Sequence, residues 1–406
     1  MQMQHPDVQK VIVNSSYDLI IAEYLTFIPF ALSKRFRCPT IAVTSLEATE
    51  MVYEYFGVPT HPVIFPNFFL PFSDTKTFIR RIISVVFEIV FRLHLHWYYF
   101  PKQDVVIKNL FGRESTPCLE LMDQISLLLE NTELVFGKIR PRVPTVIPVG
   151  GIHRVPAKPL PQELKRILDS ARNGFIYFSL GSNVKIKLLP EKVRQIIIET
   201  FSELPYTVLW KYEQTTLDDI PKNVFVSKWF PQTDVLRHGN IKLFVTQGGL
   251  QSLEEALLSK VPIVGMPFFA DQPKNIKKIV EYGFGLFIDY KTLTKKKFKK
   301  ALVEVIENPQ YRKAIGRWSD LAQDQPMSGL DQAVWWVEYV IRHKGAQHLR
   351  KTKVVERWYE KLMLDVIGVI LIVLGLVSFL VVLVVRVVFK VFKMCFKVCV
   401  EKEKSH

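Results

Sequence analysis

The run Val366–Val385, VIGVILIVLGLVSFLVVLVV, holds twenty residues without a charge and constrains this chain more than any other feature. As a helix it is long enough to cross a bilayer core about 30 Å thick. A buried helix of a globular domain rarely stays apolar on every face for so long. The chain is therefore expected to carry one transmembrane helix at 366–385, after a juxtamembrane linker at 347–365. Trp358 and Tyr359 suit the upstream interface. Beyond the helix, Arg386, Lys390, Lys393, Lys397, Lys402 and Lys404 outnumber Lys351, Lys353, Arg357 and Lys361 before it. That excess favours a basic cytosolic tail at 386–406.

The remaining residues are enough for two domains of about 100–200 residues each. With 49% apolar and 23% charged residues, disorder of the whole chain is excluded. The net charge of +15 raises nucleic acid as a partner. No zinc spacing, RNA-binding strand or recognition-helix pattern accompanies it, so attraction to a membrane surface is the better account and no nucleic-acid partner is expected. Four cysteines do not make a disulfide scaffold. Cys38 and Cys118 could form one pair. Cys395 and Cys399, beside the membrane among lysines, are either palmitoylation sites or free thiols. Lys402 and Lys404 stand five and three residues from the end. That spacing resembles a dilysine signal for return to the endoplasmic reticulum, although a solvated tail looks the same.

At the other end, MQMQHPDVQKVIV has no cationic start followed by an apolar core, so no signal peptide is visible. Tyr17–Leu25 and Cys38–Leu46 read as strands of a buried parallel sheet. Opening in mid-series leads us to expect that an N-terminal piece is missing and that the domain at 1–152 is incomplete. Asn14-Ser15-Ser16 is a glycosylation sequon, meaningful only in the lumen. Between Thr60 and Phe100 the chain is aromatic and apolar but interrupted by Arg80, Arg81, Glu88 and Arg92. It fits an amphipathic segment on a membrane or lining an apolar substrate cavity. His94 and His96 make a poor metal site and read as interfacial.

His153–Gln162 is proline-rich and polar, as domain boundaries are. Phe175–Leu180, Thr207–Tyr212, Val224–Trp229, Ile241–Thr246 and Pro262–Met266 then read as strands alternating with helices, an open parallel sheet covered on both faces. Ligands bind such sheets at the carboxyl ends of the strands. There, SLGSN (Ser179–Asn183) is a small turn through which backbone N–H groups can approach phosphate. Trp229 could stack on a nucleobase or fill the core, and Gln232 offers donor and acceptor to a pyrimidine edge. In TQGGLQSLEE (Thr246–Glu255), paired glycines expose a helix N-terminus suited to a diphosphate. Glu255, about two turns in, could accept from a ribose diol. Asp271 and Gln272 offer the mixed donors and acceptors that sugar hydroxyls need, although Asp271 considered alone reads as a plain N-cap. His238, just after Gln232, reads as structural.

Taken together, the spacings W-x-P-Q, GG, E, VPIVGMP and DQ between Trp229 and Gln272 resemble the signature of the UDP-glycosyltransferases. FSLGSN and Asp324–Arg350 agree, the latter resembling the animal membrane-bound branch, with insect members closest. The resemblance implies two Rossmann-like α/β domains facing across a cleft, a GT-B arrangement, with the UDP-sugar on the domain at 153–346. It implies inverting transfer of glucose or glucuronic acid from UDP to a small lipophilic hydroxyl acceptor, with no metal and no cofactor beyond the donor. By position, Trp229 and Gln232 would meet uracil. Ser182, Gln247, Gly249, Gln251 and Ser252 would meet the diphosphate, Glu255 the ribose, and Asp271 with Gln272 the sugar. Gln247 replaces a histidine and cannot become cationic. Glu23 aligns with the carboxylate that orients the catalytic histidine, one methylene longer than the family's aspartate, and the loop carrying that histidine is absent. The alternative is an inactive UDP-sugar-binding relative that regulates or pairs with full-length enzymes, as a homo- or hetero-oligomer. The implied location is the endoplasmic reticulum membrane, with lumenal domains if a signal peptide precedes the chain.

Overall fold

The computed structural model describes residues 5–403 apart from 68, 73, 134, 213–219, 351–357 and 362. It divides into two compact units, Met1–Arg350 and Lys351–His406. Each is considered by itself.

The first unit holds two sheets, parallel throughout. β1 (Ile20–Glu23), β2 (Thr40–Thr44), β3 (Ile125–Glu130) and β4 (Val146–Pro148) lie in the order β1-β2-β3-β4. β5 (Phe175–Ser179), β6 (Thr207–Lys211), β7 (Val224–Ser227), β8 (Ile241–Thr246), β9 (Ile263–Gly265) and β10 (Gly285–Phe287) lie in the order β10-β9-β8-β5-β6-β7. The parallel α/β expectation holds, and its physical reason is visible on β5. Phe175 and Tyr177 enter one core while Ile176 and Phe178 enter the other, all four fully buried. Each such side chain contributes about 1.5–3 kcal/mol by leaving water. Helices Glu191–Ser202 and Lys295–Glu307 cover the second of these faces. Helices Gln162–Asp169, Leu250–Leu258, Gln272–Glu281 and Pro309–Gln323 cover the first.

Four features differ from the sequence reading. Of the run Tyr17–Leu25 only Ile20–Glu23 pairs, and Ile21 is 50% exposed because β1 lies at a sheet edge. A helix, Pro6–Asn14, precedes it, and β10 was too short at three residues to be read. Helix Gly329–Arg342 packs Ala333 and Val340 onto the first sheet, beside Ile41, Leu127, Leu129 and Ile147. Residues read as the end of the second domain thus complete the core of the first. Gly329 permits the approach: a Cβ there would sit 2.4 Å from the carbonyl oxygen of Gly150.

In the second unit, helix Leu364–Glu403 includes a 28-residue stretch, Leu364–Val391, long and apolar enough to cross a membrane. The helix runs past Val385 into the region read as a separate tail. Arg386, Lys390, Lys393 and Lys397 recur at three- and four-residue spacing, which suits one helix face. The dilysine-like ending and the side chains of Cys395 and Cys399 lie outside what is described. Cys38 and Cys118 are both free thiols, so the proposed pair is not formed.

Candidate active site at the carboxyl ends of the second sheet

The strand order of the second sheet reverses between β5 and β8. The loops that leave these two strands diverge there and open a crevice, the usual ligand position in such sheets. From β5 comes the turn at Gly181, with Ser182 exposed. From β8 come Gln247 and then Gly249, which caps helix Leu250–Leu258. Gly181 has φ +72°, and a Cβ there would lie 2.4 Å from Nε2 of Gln247. Only glycine lets the turn and the amide share this space. Gln247 is buried and its Oε1 has no hydrogen-bond partner. Gln251, exposed, and Ser252 lie in the first helical turn, where backbone N–H groups lack intrahelical acceptors. Ser182 thus follows β5, and Gln247, Gly249, Gln251 and Ser252 follow β8, on the two sides of the strand-order reversal.

Two strands along the sheet from β5, Trp229 is 66% exposed after β7, so the core alternative for this ring is excluded. Ser227 holds the loop by donating its hydroxyl to the Trp229 carbonyl at 2.9 Å. Gln232, Ser252 and Glu255 form one network. Gln232 Nε2 donates to Glu255 Oε2 at 2.7 Å and to Ser252 Oγ at 3.0 Å. Thr233 Oγ1 donates to Glu255 Oε1 at 2.9 Å. Both carboxylate oxygens are thus oriented, and each keeps a further lone pair. His238 sits just past helix Gln232–Leu236, Nε2 3.0 Å from Asp169 and Nδ1 accepting from Asn240 N–H, away from this chemistry.

Asp271 occupies the N-cap position of helix Gln272–Glu281 but makes no side-chain cap bond. Its Oδ2 accepts from Asn275 at 2.7 Å, and burial raises its pKa. Gln272 Oε1 accepts from the N–H groups of Phe268 and Phe269 at 2.9 and 3.2 Å, so its oxygen shapes the loop. Asp271 also lines a cavity of about 160 Å³ between this helix and the loops that leave the first sheet. Tyr53, Glu130 and Arg140 line the opposite wall, with Lys274 and Lys278 beside Asp271. Burial pulls both lysines down to about 8. Lys278 reaches the carbonyl of Gly137 at 2.9 Å, and Lys274 that of Asn67 at 3.1 Å.

Glu23 is not brought to this cavity. It ends β1, burial raises its pKa, and Oε1 has no hydrogen-bond partner. The sequence reading also passed over Glu254. Its side chain is wholly buried, with Oε2 accepting from Asn131 Nδ2 at 3.3 Å and 3.5 Å from His153 Nδ1. Burial pushes this carboxyl to about 8, against the Asn131 hydrogen bond and the Arg154 charge. Asn131 Oδ1 in turn accepts from Gly151 N–H at 3.0 Å. A signal was present in the spacing. Positions 250, 253, 254 and 257 form the inward stripe of the helix, and Glu254 stands in it.

The comparisons agree with this arrangement. The chain is 36% identical to UDP-glucosyltransferase 2 of Dactylopius coccus over 338 residues, 83% of this chain and 65% of that one. It is 33% identical to UDP-glucuronosyltransferase 1A5 of Rattus norvegicus over 361 residues, 89% of this chain and 67% of that one. It thus spans about two thirds of the length of these relatives. Two solved structures share its fold at 18% identity. The glycotransferase of kitacinnamycin has a TM-score of 0.57, covering 82% of this chain and 79% of that one. UDP-glucose: anthocyanidin 3-O-glucosyltransferase, in complex with UDP, has a TM-score of 0.53, covering 83% and 78%. The fold is accordingly of the GT-B type. The family model for UDP-glucoronosyl and UDP-glucosyl transferase matches residues 3–406, and the chain belongs to that family.

Proposed function

We propose that this chain binds a UDP-sugar in the loops of the second sheet, and that the enzyme it represents transfers a hexosyl group, glucose or glucuronic acid, with inversion. The acceptor is the hydroxyl of a small lipophilic compound. The observation that carries this reading is the convergence of Ser182, Gln247, the Gly249–Ser252 helix start and the Gln232–Glu255 pair on one switch-point crevice. Trp229 stacks on uracil and Gln232 meets its edge. The helix start, Ser182 and Gln247 receive the diphosphate. Glu255 accepts from the ribose hydroxyls, and Asp271 with Gln272 directs the sugar toward the cavity, where the acceptor enters. In the transfer, the acceptor O–H proton passes to a base, its oxygen bonds to the anomeric carbon, and the bond to UDP breaks. Gln247 donates to the departing phosphate as a neutral amide, which stabilises it less than a cation does. Acceptor-dependent release of UDP by the complete enzyme, with UDP-glucose and UDP-glucuronate compared, tests the reading. Absence of turnover with either donor across phenols and other lipophilic alcohols counts against it.

One observation favours a second reading for the 406-residue chain itself. The carboxylate that should orient a catalytic imidazole, Glu23, has its Oε1 buried without a partner. On this reading the chain binds UDP-sugar without turnover and regulates or pairs with longer relatives.

The apolar helix anchors the protein as a single-pass protein of the endoplasmic reticulum membrane, tail cytosolic, with lumenal domains where a signal peptide precedes. Asn14 is exposed at the end of helix Pro6–Asn14 and reports the orientation. A glycan on Asn14 supports the lumenal arrangement. An unmodified Asn14 in a half accessible to protease from the cytosol overturns it.

A further inference from the structure

A second cavity, of about 440 Å³, adjoins the inner one of about 160 Å³ that Asp271 lines. Thr132, Arg142 and Pro148 line both, so the two share a wall. Helix Gly329–Arg342 and the segment before it supply much of the outer lining, including Met327, Trp335 and Trp336. Trp336 is partly buried on the core of the first sheet, whereas Trp335 is 45% exposed. The Trp335 ring meets Trp336 edge-on at 4.9 Å and stacks on Tyr339 at 5.3 Å. Two neighbouring rings thus hold it while part of its surface stays open. Charges along the inner cavity are matched, with one exception. Lys138 and Arg140 pair with Glu47 at 3.2 and 2.8 Å, Lys277 pairs with Glu281 at 3.7 Å, and Glu133 is tied to Arg154. Glu130 accepts from the Tyr53 hydroxyl, and Lys274 and Lys278 donate to backbone carbonyls. Arg142 is exposed and has no hydrogen bond or ion pair among the described residues. Its backbone is nevertheless stiff. Pro141 and Pro144 restrict φ on either side, and Val143 packs on the first-sheet core and accepts from Val146 N–H at 3.1 Å.

We propose that the outer cavity seats the far end of an extended acceptor, an aromatic ring carrying a carboxylate, with Trp335 against the ring and Arg142 paired with the carboxylate. This rests on the reading that the inner cavity admits the acceptor hydroxyl. A guanidinium presents a planar fork of N–H donors that matches a carboxylate, and the unpaired one stands where the two cavities meet. The indole supplies a large face at little cost in side-chain entropy. The shared wall holds no carboxylate to compete for Arg142, since Asp324, the acidic residue of the outer lining, lies outside it. An acceptor reaching both cavities therefore meets a cation before its hydroxyl arrives beside Asp271.

The test measures binding by calorimetry, because the 406-residue chain is not expected to turn over. The full chain, in phosphatidylcholine nanodiscs with UDP bound, is titrated with three phenols, and titrations into empty nanodiscs are subtracted. The phenols are a hydroxybiphenyl carboxylate with its polar groups at opposite ends, the methyl ester of that acid, and phenol itself. The acid should bind about fivefold more tightly than the ester. Arg142→Gln should erase that preference without changing the affinity for the ester, and Arg142→Lys should keep part of it. Trp335→Leu should weaken both biphenyls by about fivefold and leave phenol unchanged. UDP affinity reports the fold of each variant; if Trp335→Leu fails to fold, the Arg142 comparison decides. Equal affinity for acid and ester in the wild type, or a preference that survives in Arg142→Gln, overturns the proposal and leaves the inner cavity as the acceptor site, provided that phenol binds. Absence of binding by all three phenols overturns the acceptor reading of the inner cavity, and this proposal falls with it.

Discussion

Glu254 and Glu255 are neighbours on one helix with opposite situations, and each makes a residue-scale prediction. Glu255 has both oxygens oriented by Gln232 and Thr233 at the crevice. Glu255→Ala should weaken UDP binding by about 1–3 kcal/mol, the cost of losing an acceptor that a bound ribose would cover. Calorimetry checks this, and equal affinity in both proteins would remove the ribose role. Glu254 is buried with a carboxyl pKa near 8, above its ordinary value of 4.5. A raised carboxyl means that the folded chain holds the proton more tightly than the unfolded one. Its stabilising effect is full below about 4.5 and is lost as pH rises through about 8. His153, which burial holds neutral, Arg154 and Glu255 are the charged or titratable groups acting on this pair. Glu254→Gln, which cannot ionise, should flatten the fall in melting temperature between about pH 4.5 and about pH 8. Parallel melting profiles for wild type and variant would show that this carboxyl does not titrate there.

Among the elements, helix Gly329–Arg342 links the two halves of the first unit. It leaves the second half of the chain and completes the core over the first sheet, so the two sheets depend on each other for stability. Its first turn touches the backbone of Val149 and Gly150 too closely for any side chain at position 329. Gly329→Ala should therefore destabilise the chain by about 1–3 kcal/mol through overpacking, seen as a lowered denaturant midpoint. A midpoint equal to that of the wild type would mean that the loop yields. The sequence did not reveal this packing, because the apolar stripe of the helix fits any sheet face and only the return of the chain selects one.

At the scale of the whole molecule, the 406-residue chain should bind UDP-sugar yet fail to transfer it. Attack by a neutral alcohol on the anomeric carbon needs a base within hydrogen-bond reach of its proton. The described residues place none beside Glu23, whose Oε1 is unpartnered. The edge strand β1, with Ile21 half exposed, should also make this chain prone to association. Fusion of an N-terminal segment from one of the longer relatives should restore turnover and solubility together. Sustained acceptor-dependent UDP release by the 406-residue chain would sink this prediction and direct the search for a base to its own histidines.

The sequence alone determined what is local or periodic. Continuous apolar runs such as Phe175–Leu180 specify strands buried on both faces, and glycines at Gly181, Gly248 and Gly249 mark turns where backbone must open. An uncharged run of twenty residues admits little but a membrane-length helix. These properties follow from the chain's own geometry and its contact with water, so residue order suffices. Tertiary structure decided whatever depends on which distant group becomes a neighbour. It made Trp229 a surface ring, turned Gln272 to hold a loop, buried Glu254 against Asn131, and faced helix Phe78–His94 outward along its apolar side. Asn131 with Glu254, Asn67 with Glu88 and Ala333 with Leu127 lie far apart in sequence, and no local pattern encodes their pairing.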